Sequence, residues 1–382
     1  MRPYQELYES GELKERAEKA AALLRSCSLC PRNCRADRTK GPSGACRSSD
    51  ALKISSILPH FGEEPPFTGV KGAGAVFFSD CNLKCVYCQN HEISWEGWGR
   101  FHAPEELADA MLDLQKQGCH NIDLVSPTHV VPQLLKALDI AAGKGLSIPL
   151  IYNSGGYDSV PVLKLLEGVV DIYLPDMKYW DAETGEGFSG IADYPRHNQA
   201  AVKEMFRQVG PIQINKDGIA QKGLMVRHLI LPNRFQETFY ILKFIRDQLS
   251  REVAVSLMSQ YHPGFKARDI EILNRPISRD EYDTVLEWFE ELGLENGYRQ
   301  DLSSPGFGLP SFRRGAESPF QWEESGNNEQ GAVARGRGAG CGIIKQLTSP
   351  WPPFLRGNIS EIPLWRGVSQ KFPPGKGGSR GV

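Results

Sequence analysis

The chain has 382 residues, of which 40% are hydrophobic and 24% are charged, and its formal net charge at pH 7 is -2. This length and composition suit a globular protein of one large domain with appendages, or of two ordinary domains. The nearly balanced charge argues against a nucleic-acid or membrane-surface binder, and no apolar run reaches the roughly 18 residues of a membrane span.

The first predicted element is an amphipathic helix over residues 1–25. Its apolar residues Leu13, Ala17, Ala21 and Leu24 recur at helical spacing. The segment has no signal-peptide pattern, so we expect a cytoplasmic protein. A stretch rich in Cys, Arg and Gly follows the helix, and together they form a predicted N-terminal unit, residues 1–66.

From residue 67 to residue 322, short apolar runs alternate with amphipathic stretches. The predicted strands span residues 73–79, 122–126, 148–153, 169–176, 225–231 and 253–258. The predicted helices span residues 104–117, 130–142, 157–167, 198–209, 237–249 and 279–292. Ser278 and Glu281 form a capping-box pattern at the start of the last helix.

Six successive βα units predict an α/β domain with a parallel sheet and helices outside it. Periodicity leaves two architectures open, an open doubly wound sheet and a partial barrel of six strands. In both, ligands bind at the C-terminal ends of the strands.

The last segment, residues 323–382, has a different composition. From residue 331 onward it has one acidic residue, Glu361, against eight Lys or Arg, and it is rich in Gly and Pro. We expect a disordered tail. An inert extension is the favoured interpretation, and a basic RNA-binding tail is the alternative.

Three cysteines directly after the first predicted strand carry the main chemical signal. Cys81, Cys85 and Cys88 are spaced by four and three residues, and thiolates are the usual ligands of iron–sulfur clusters. Three ligands in one loop leave one metal position open for a reactant. A structural zinc site with His91 as the fourth ligand is the alternative.

The spacing CxxxCxxC, with Tyr87 before the last cysteine, resembles the signature of the radical S-adenosylmethionine (SAM) superfamily. The wider stretch GAVFFSDCNLKCVYCQN resembles its pyruvate formate-lyase-activating-enzyme-like subgroup. The likeness runs from about residue 26 to about residue 322 and includes LVSPTHVVPQLL, YNSGGYD, DIYLPDMKYW, RHLILPN and LMSQYHP.

This resemblance implies a partial (β/α)6 TIM-like barrel. It also implies a [4Fe–4S] cluster whose open iron binds SAM, and an electron donor of the flavodoxin or ferredoxin type. Reductive cleavage of SAM would give a 5′-deoxyadenosyl radical that abstracts hydrogen from a substrate. The subgroup implies that this substrate is a glycine of a glycyl radical enzyme. No residue of the chain is assigned a catalytic role.

Two other functions stay open at this point. One is a radical SAM enzyme that modifies a small molecule, another protein or a tRNA base. The other is a non-catalytic module that binds zinc or an iron–sulfur cluster.

Polar residues near the cysteines and at the strand ends are the predicted cofactor contacts. Many superfamily members carry Gly-Gly-Glu after the second strand, whereas this chain has Ser126-Pro127-Thr128. Lys178 is expected at the methionine carboxylate or paired with Asp176. The full predicted set is Tyr87, Ser126, Thr128, Asn153, Ser154, Asp176, Lys178, Arg227 and Gln260.

A second cysteine group lies in the N-terminal unit. Cys27, Cys30, Cys34 and Cys46 offer four thiolates within twenty residues. Four cysteines complete a tetrahedral zinc site, and they equally suit an auxiliary iron–sulfur cluster. The spacing does not choose between the two metals.

Overall fold

The structure is a computed structural model that describes residues 1–300, 302, 309–314, 319–320 and 342–344. Except for residues 342–344, the predicted tail at 323–382 lies outside the described residues. No helix in the described part of the chain combines the length and apolar character needed to cross a membrane.

The described residues form one central sheet of eleven strands, seven of which (β2, β4, β5, β6, β8, β9 and β10) run parallel. The strands are β1 (Leu52–His60), β2 (Ala73–Phe78), β3 (Arg100–His102), β4 (Ile122–Val125), β5 (Leu150–Ser154), β6 (Ile172–Pro175), β7 (Gln213–Ile214), β8 (Ala220–Leu229), β9 (Ala254–Met258), β10 (Gly297–Arg299) and β11 (Gly342–Ile344). Their order is β11-β10-β9-β8-β6-β5-β4-β2-β1-β3, and β7 pairs with β8.

In the part of the chain that the structure describes, eleven α-helices accompany the strands: α1 (Pro3–Glu9), α2 (Glu12–Ala22), α3 (Pro65–Thr68), α4 (His91–Ser94), α5 (Pro104–Lys116), α6 (Val131–Gly143), α7 (Val160–Leu165), α8 (Ala182–Ser189), α9 (Tyr194–Val209), α10 (Gln236–Gln248) and α11 (Arg279–Glu291). The predicted capping box of α11 is confirmed, because Ser278 Oγ accepts the Glu281 N–H and the Glu281 carboxylate accepts the Ser278 N–H.

The prediction of a single helix over residues 1–25 is wrong. Gly11 has φ +80° and separates α1 from α2. A left-handed residue cannot continue a right-handed helix, and glycine adopts this conformation at little cost. The predicted helix at 157–167 is also shorter, since α7 covers only Val160–Leu165.

The six predicted strands are all present, with ends displaced by up to five residues. β1 was not predicted, although it pairs antiparallel with β2. Because β1 lies within residues 1–66, the predicted N-terminal unit contributes a strand to the central sheet. The described residues of both predicted units cluster in one compact unit, and the boundary at 66/67 stays a prediction.

The sheet curves around a cavity. If the sheet were flat, β8 and β1 would lie about 24 Å apart, because five strand spacings separate them. Arg227 on β8 nevertheless bonds Glu63 and Glu64, which follow β1 closely. Among the residues that the structure describes, the strand order ends at β11 and β3 and does not close on itself. The architecture is therefore an α/β fold with a partial, TIM-like barrel.

Candidate active site

The loop with the three cysteines begins where β2 ends. Asp80 has φ +69°, a left-handed conformation that Asp tolerates better than most residues. Its N–H donates to the Ile93 carbonyl at 2.8 Å. This turn directs the chain away from the strand and places Cys81, Cys85 and Cys88 above the C-terminal edge of the sheet.

Each of the three sulfurs lies close to a hydrogen-bonding group. Cys81 Sγ accepts the Leu83 N–H at 3.4 Å, Cys85 Sγ accepts the Ser189 hydroxyl at 3.1 Å, and Cys88 Sγ lies 3.2 Å from Ser94 Oγ. Donors of this kind stabilise thiolate ligands and tune the potential of a bound cluster.

A chain of hydroxyl groups leads to one of these sulfurs. Tyr87 donates to Tyr179 at 2.7 Å, and Tyr179 Oη lies 2.7 Å from Ser189 Oγ. Since Ser189 donates to Cys85, each of these three hydroxyl groups has a defined partner. Tyr87 therefore supports the cysteine loop in addition to lining the cavity.

The three cysteines face a cavity of about 400 Å³ bounded by the ends of β2, β4, β5, β6, β8 and β9. Eight of the nine predicted cofactor contacts line it: Tyr87, Ser126, Asn153, Ser154, Asp176, Lys178, Arg227 and Gln260. The structure thus brings residues from distant parts of the chain to one place.

Thr128 does not line this cavity. Its hydroxyl donates to Asp158 Oδ1 at 2.7 Å, and Asp158 also accepts the hydroxyls of Tyr152 at 2.9 Å and Ser154 at 2.7 Å. Thr128 holds the β4 loop against the end of β5, because three hydroxyl groups share one buried carboxylate.

Lys178 and Asp176 form a partly buried ion pair at the end of β6. Burial alone would lower the pKa of Lys178, but the Asp176 carboxylate and the nearby sulfurs of Cys85 and Cys88 together raise the pKa above its ordinary value. The ammonium group is therefore charged at neutral pH and faces the cavity.

The prediction did not include the acidic residues at the inner side of the cavity. Arg227 Nε donates to Glu64 Oε1 at 2.9 Å, and its Nη2 bonds Glu63. Burial and the neighbouring Glu63 raise the pKa of the third carboxyl there, that of Asp123. The sequence signal for them was the pair Glu63-Glu64 before Pro65, in a segment to which the sequence analysis assigned no strand.

A family model for the radical SAM superfamily matches residues 76–219, which include the cysteine loop and β4 to β6. The uncharacterized protein MJ0674 of Methanocaldococcus jannaschii is 30% identical over 290 residues, covering 73% of this chain and 79% of that protein. The chain belongs to the radical SAM superfamily.

A second protein of that organism, the uncharacterized protein MJ0808, is 26% identical over 295 residues, covering 72% of this radical SAM chain and 79% of the relative. Among solved structures, SuiB of Streptococcus suis aligns with a TM-score of 0.41 and 10% identity, over 60% of this chain and 48% of SuiB. SuiB bound to S-adenosylmethionine aligns with a TM-score of 0.39. The chain thus spans less than half of SuiB.

The superfamily's cofactors are a [4Fe–4S] cluster and SAM, and the donor set of this radical SAM chain fits them. Three thiol groups from one loop share a cavity with charged and amide side chains. A cluster binds each thiolate at a different iron, so its ligands need not converge on one point. Within the described residues, no group of three or more His, Cys, Asp or Glu is arranged to hold a metal ion. The ring of His91, the fourth ligand in the alternative zinc site, stacks on Phe265.

The second cysteine group lies beside this site. Cys27, Cys30, Cys34 and Cys46 line one small cavity of about 10 Å³ together with the buried Arg38. Arg32 connects this region to the cysteine loop, because its Nε donates to the Asn82 carbonyl at 2.6 Å. A metal at these four residues stays a prediction, and its identity as zinc or an auxiliary cluster stays open.

Proposed function

We propose that Cys81, Cys85 and Cys88 hold the [4Fe–4S] cluster and that SAM binds in the adjoining cavity. The observation that supports this assignment is the convergence of the three thiols and the polar ends of five further strands on one 400 Å³ space. When bound, the cluster and SAM supply a 5′-deoxyadenosyl radical that abstracts a hydrogen atom.

The chain's own residues bind and orient SAM in this proposal. Lys178 offers a charged donor to the methionine carboxylate, and Asn153 offers an amide to the ribose or the carboxylate. Ser126 has φ +59° and its N–H donates to the Asn153 carbonyl at 2.8 Å. This strained turn presents Ser126 to the cavity in place of the Gly-Gly-Glu stretch.

We further propose that the hydrogen atom comes from a backbone glycine of a glycyl radical enzyme. Support for this step comes from the sequence resemblance of GAVFFSDCNLKCVYCQN to the activating-enzyme subgroup. The test mixes the reduced, SAM-loaded protein with a purified glycyl radical enzyme. Electron paramagnetic resonance should then show a glycyl radical on the partner, and a silent spectrum alongside active SAM cleavage would exclude this substrate.

The cluster assignment is tested by replacing Cys85 with Ala. We expect anaerobic reconstitution of Cys85→Ala to incorporate less iron and dithionite reduction to give no 5′-deoxyadenosine, because an open loop with two thiols cannot hold the cluster. The measurements are iron content and chromatography of the products, with circular dichroism to verify folding.

The matched control is Cys119→Ala. Cys119 is buried before β4 and does not line the cavity. This variant should keep the wild-type iron content and SAM cleavage. If Cys85→Ala also kept full cleavage, the ligand assignment would be wrong.

A further inference from the structure

Three positively charged side chains from separate segments converge on Trp95. Lys266 Nζ lies 3.9 Å and Lys84 Nζ 5.5 Å from the centroid of the Trp95 ring. Arg47 Nη2 bonds the Trp95 carbonyl. We call Trp95, Arg47, Lys84 and Lys266 the Trp95 patch. Arg47 and Lys266 are exposed, and Trp95 is half-buried.

The Trp95 patch lies directly over the cysteine loop. Trp95 Nε1 donates to the Cys85 carbonyl at 3.0 Å, and Lys84 Nζ donates to the Ser94 carbonyl at 2.9 Å. The Ser94 hydroxyl in turn lies 3.2 Å from Cys88 Sγ. One layer of side chains therefore separates the patch from two of the three proposed cluster ligands.

The positive charge of the patch is only partly offset within the described part of the chain. Arg47, Lys84 and Lys266 form no ion pair there. The buried Asp80 carboxylate interacts with Lys84 and Arg47, but also with Lys53 and Arg38. The nearby carboxylates Glu92 and Glu96 are both bonded by Arg313. Neighbouring like charges repel each other, and an approaching anionic surface relieves that repulsion. The arrangement fits a partner with an acidic face.

We propose that the Trp95 patch is the docking surface of an acidic one-electron carrier. The proposal rests on the proposed cluster site, since the patch is useful to a carrier only if a cluster lies beneath it. One electron passes from the carrier to the cluster and lowers the charge of the cluster by one, and no proton or group is transferred. If the carrier is a flavin protein, its anionic hydroquinone becomes the neutral semiquinone.

A small patch is sufficient for such a partner. Electron-transfer encounters are weak and bury less than about 1,200 Å², so a few charges dominate their association rate and its salt dependence. The chain as a whole has a net charge of -2, so an acidic carrier is attracted to the positive patch more than to the rest of the surface. A nucleic acid would need a more extensive run of cations.

The test uses reconstituted protein and a bacterial flavodoxin as the acidic carrier. The variants are Arg47→Glu/Lys266→Glu and Lys266→Glu alone, and the control is Lys216→Glu. Lys216 is exposed in the turn before β8, at the opposite edge of the sheet from the cysteine loop. Calorimetry measures binding of oxidised flavodoxin at low salt. Formation of 5′-deoxyadenosine is measured with reduced flavodoxin and, separately, with dithionite.

We expect the double variant to bind flavodoxin about tenfold or more weakly, since two charge reversals replace attraction by repulsion. Its flavodoxin-driven cleavage should fall in parallel, while dithionite-driven cleavage stays at the wild-type level. Lys266→Glu should show a smaller loss of the same kind, and Lys216→Glu should match the wild type. Added salt should strongly weaken the complexes of the wild type and Lys216→Glu, but it should have little effect on the residual binding of the double variant.

Equal flavodoxin binding by the wild type and both patch variants would overturn the proposal. A parallel titration with tRNA tests the nucleic-acid alternative. If the patch variants lost tRNA binding but bound flavodoxin as the wild type does, the proposal would be overturned and the patch assigned to nucleic acid. If the wild type fails to cleave SAM even with dithionite, the proposed function fails instead, whereas calorimetry still reports on docking.

Discussion

Arg227 and Arg207 each bond two carboxylates, but the two arginines differ in their exposure to water. Arg227 and its partners Glu63 and Glu64 have side chains 13%, 9% and 6% exposed. Arg207 and its partner Glu167 are 51% and 47% exposed. Its second partner, Glu204, is 9% exposed but also accepts a hydrogen bond from Gln208. Removing a charge from the buried group leaves carboxylates without compensation in a medium of low dielectric constant. Water screens the same change at the surface.

This contrast gives a prediction at the scale of single residues. Arg227→Gln should lower the free energy of unfolding by about 3–5 kcal/mol, and the matched Arg207→Gln by about 0–1 kcal/mol. Unfolding in urea, followed by circular dichroism, measures both. Equal losses for the two variants would show that Arg227 has no special role in holding the acidic side of the cavity.

At this scale the sequence indicated which side chains supply metal ligands, but it indicated less well which residues the polar side chains contact. The spacing of Cys81, Cys85 and Cys88 places them in one short loop, so their convergence is local. The roles of Thr128 and Arg227 depend on Asp158 and Glu64, which lie 30 and 163 residues away. No local pattern encodes such contacts.

At the scale of elements, close packing between strand ends is visible at Gly156. This residue follows β5 with φ +73°, and a Cβ atom there would lie 2.1 Å from the Asp176 carbonyl oxygen. Gly190, which ends α8, has φ +66° and open space around the same position. Both glycines therefore adopt a left-handed conformation, but only at Gly156 does the missing side chain also avoid a collision with the Asp176 backbone.

We expect Gly190→Ala to cost about 1 kcal/mol, the penalty for an L-residue in the left-handed region. Gly156→Ala should cost about 3 kcal/mol or more, because displacement of the Asp176 backbone adds to that penalty. The shift in the midpoint of urea unfolding distinguishes them. Similar shifts would mean that the β5 and β6 ends move apart easily, contrary to the structure.

The strand β1 shows why one element was missed. Its register with β2 shifts between Ile54 and Ser56, which disrupts the alternation of apolar and polar residues. Pro59, near its end, is also unusual in a strand and suits a site with a free backbone position. Propensity and period therefore gave no clear signal, and pairing with β2 decided the conformation.

At the scale of the whole molecule, the N-terminal segment is packed onto the barrel. Tyr4 is fully buried, and its hydroxyl donates to the Ile148 carbonyl just before β5 at 3.0 Å. Helix α2 packs against α6, and Leu13, Ala17 and Ala20 of α2 are buried. The N-terminal helices thus cover an apolar face of the barrel.

Tyr4→Ala should therefore destabilise the whole molecule by about 3–5 kcal/mol, and Tyr4→Phe, which loses only the hydrogen bond, by about 1 kcal/mol. The described tryptophans Trp95, Trp98, Trp180 and Trp288 all lie beyond residue 90, so changes in their fluorescence report on the barrel. We expect fluorescence and circular dichroism to shift together in one transition. An unchanged fluorescence transition would indicate that residues 1–66 unfold independently.

The sequence by itself determined the α/β class, the six βα units and the three-cysteine loop, because hydrophobic period and short-range spacing are local properties. Only the tertiary structure decided that β1 joins the sheet, that Thr128 turns to Asp158, and that Glu63 and Glu64 meet Arg227. Those outcomes depend on sheet curvature and on desolvated charges finding partners, which are long-range effects that arise once the chain has closed around its cavity.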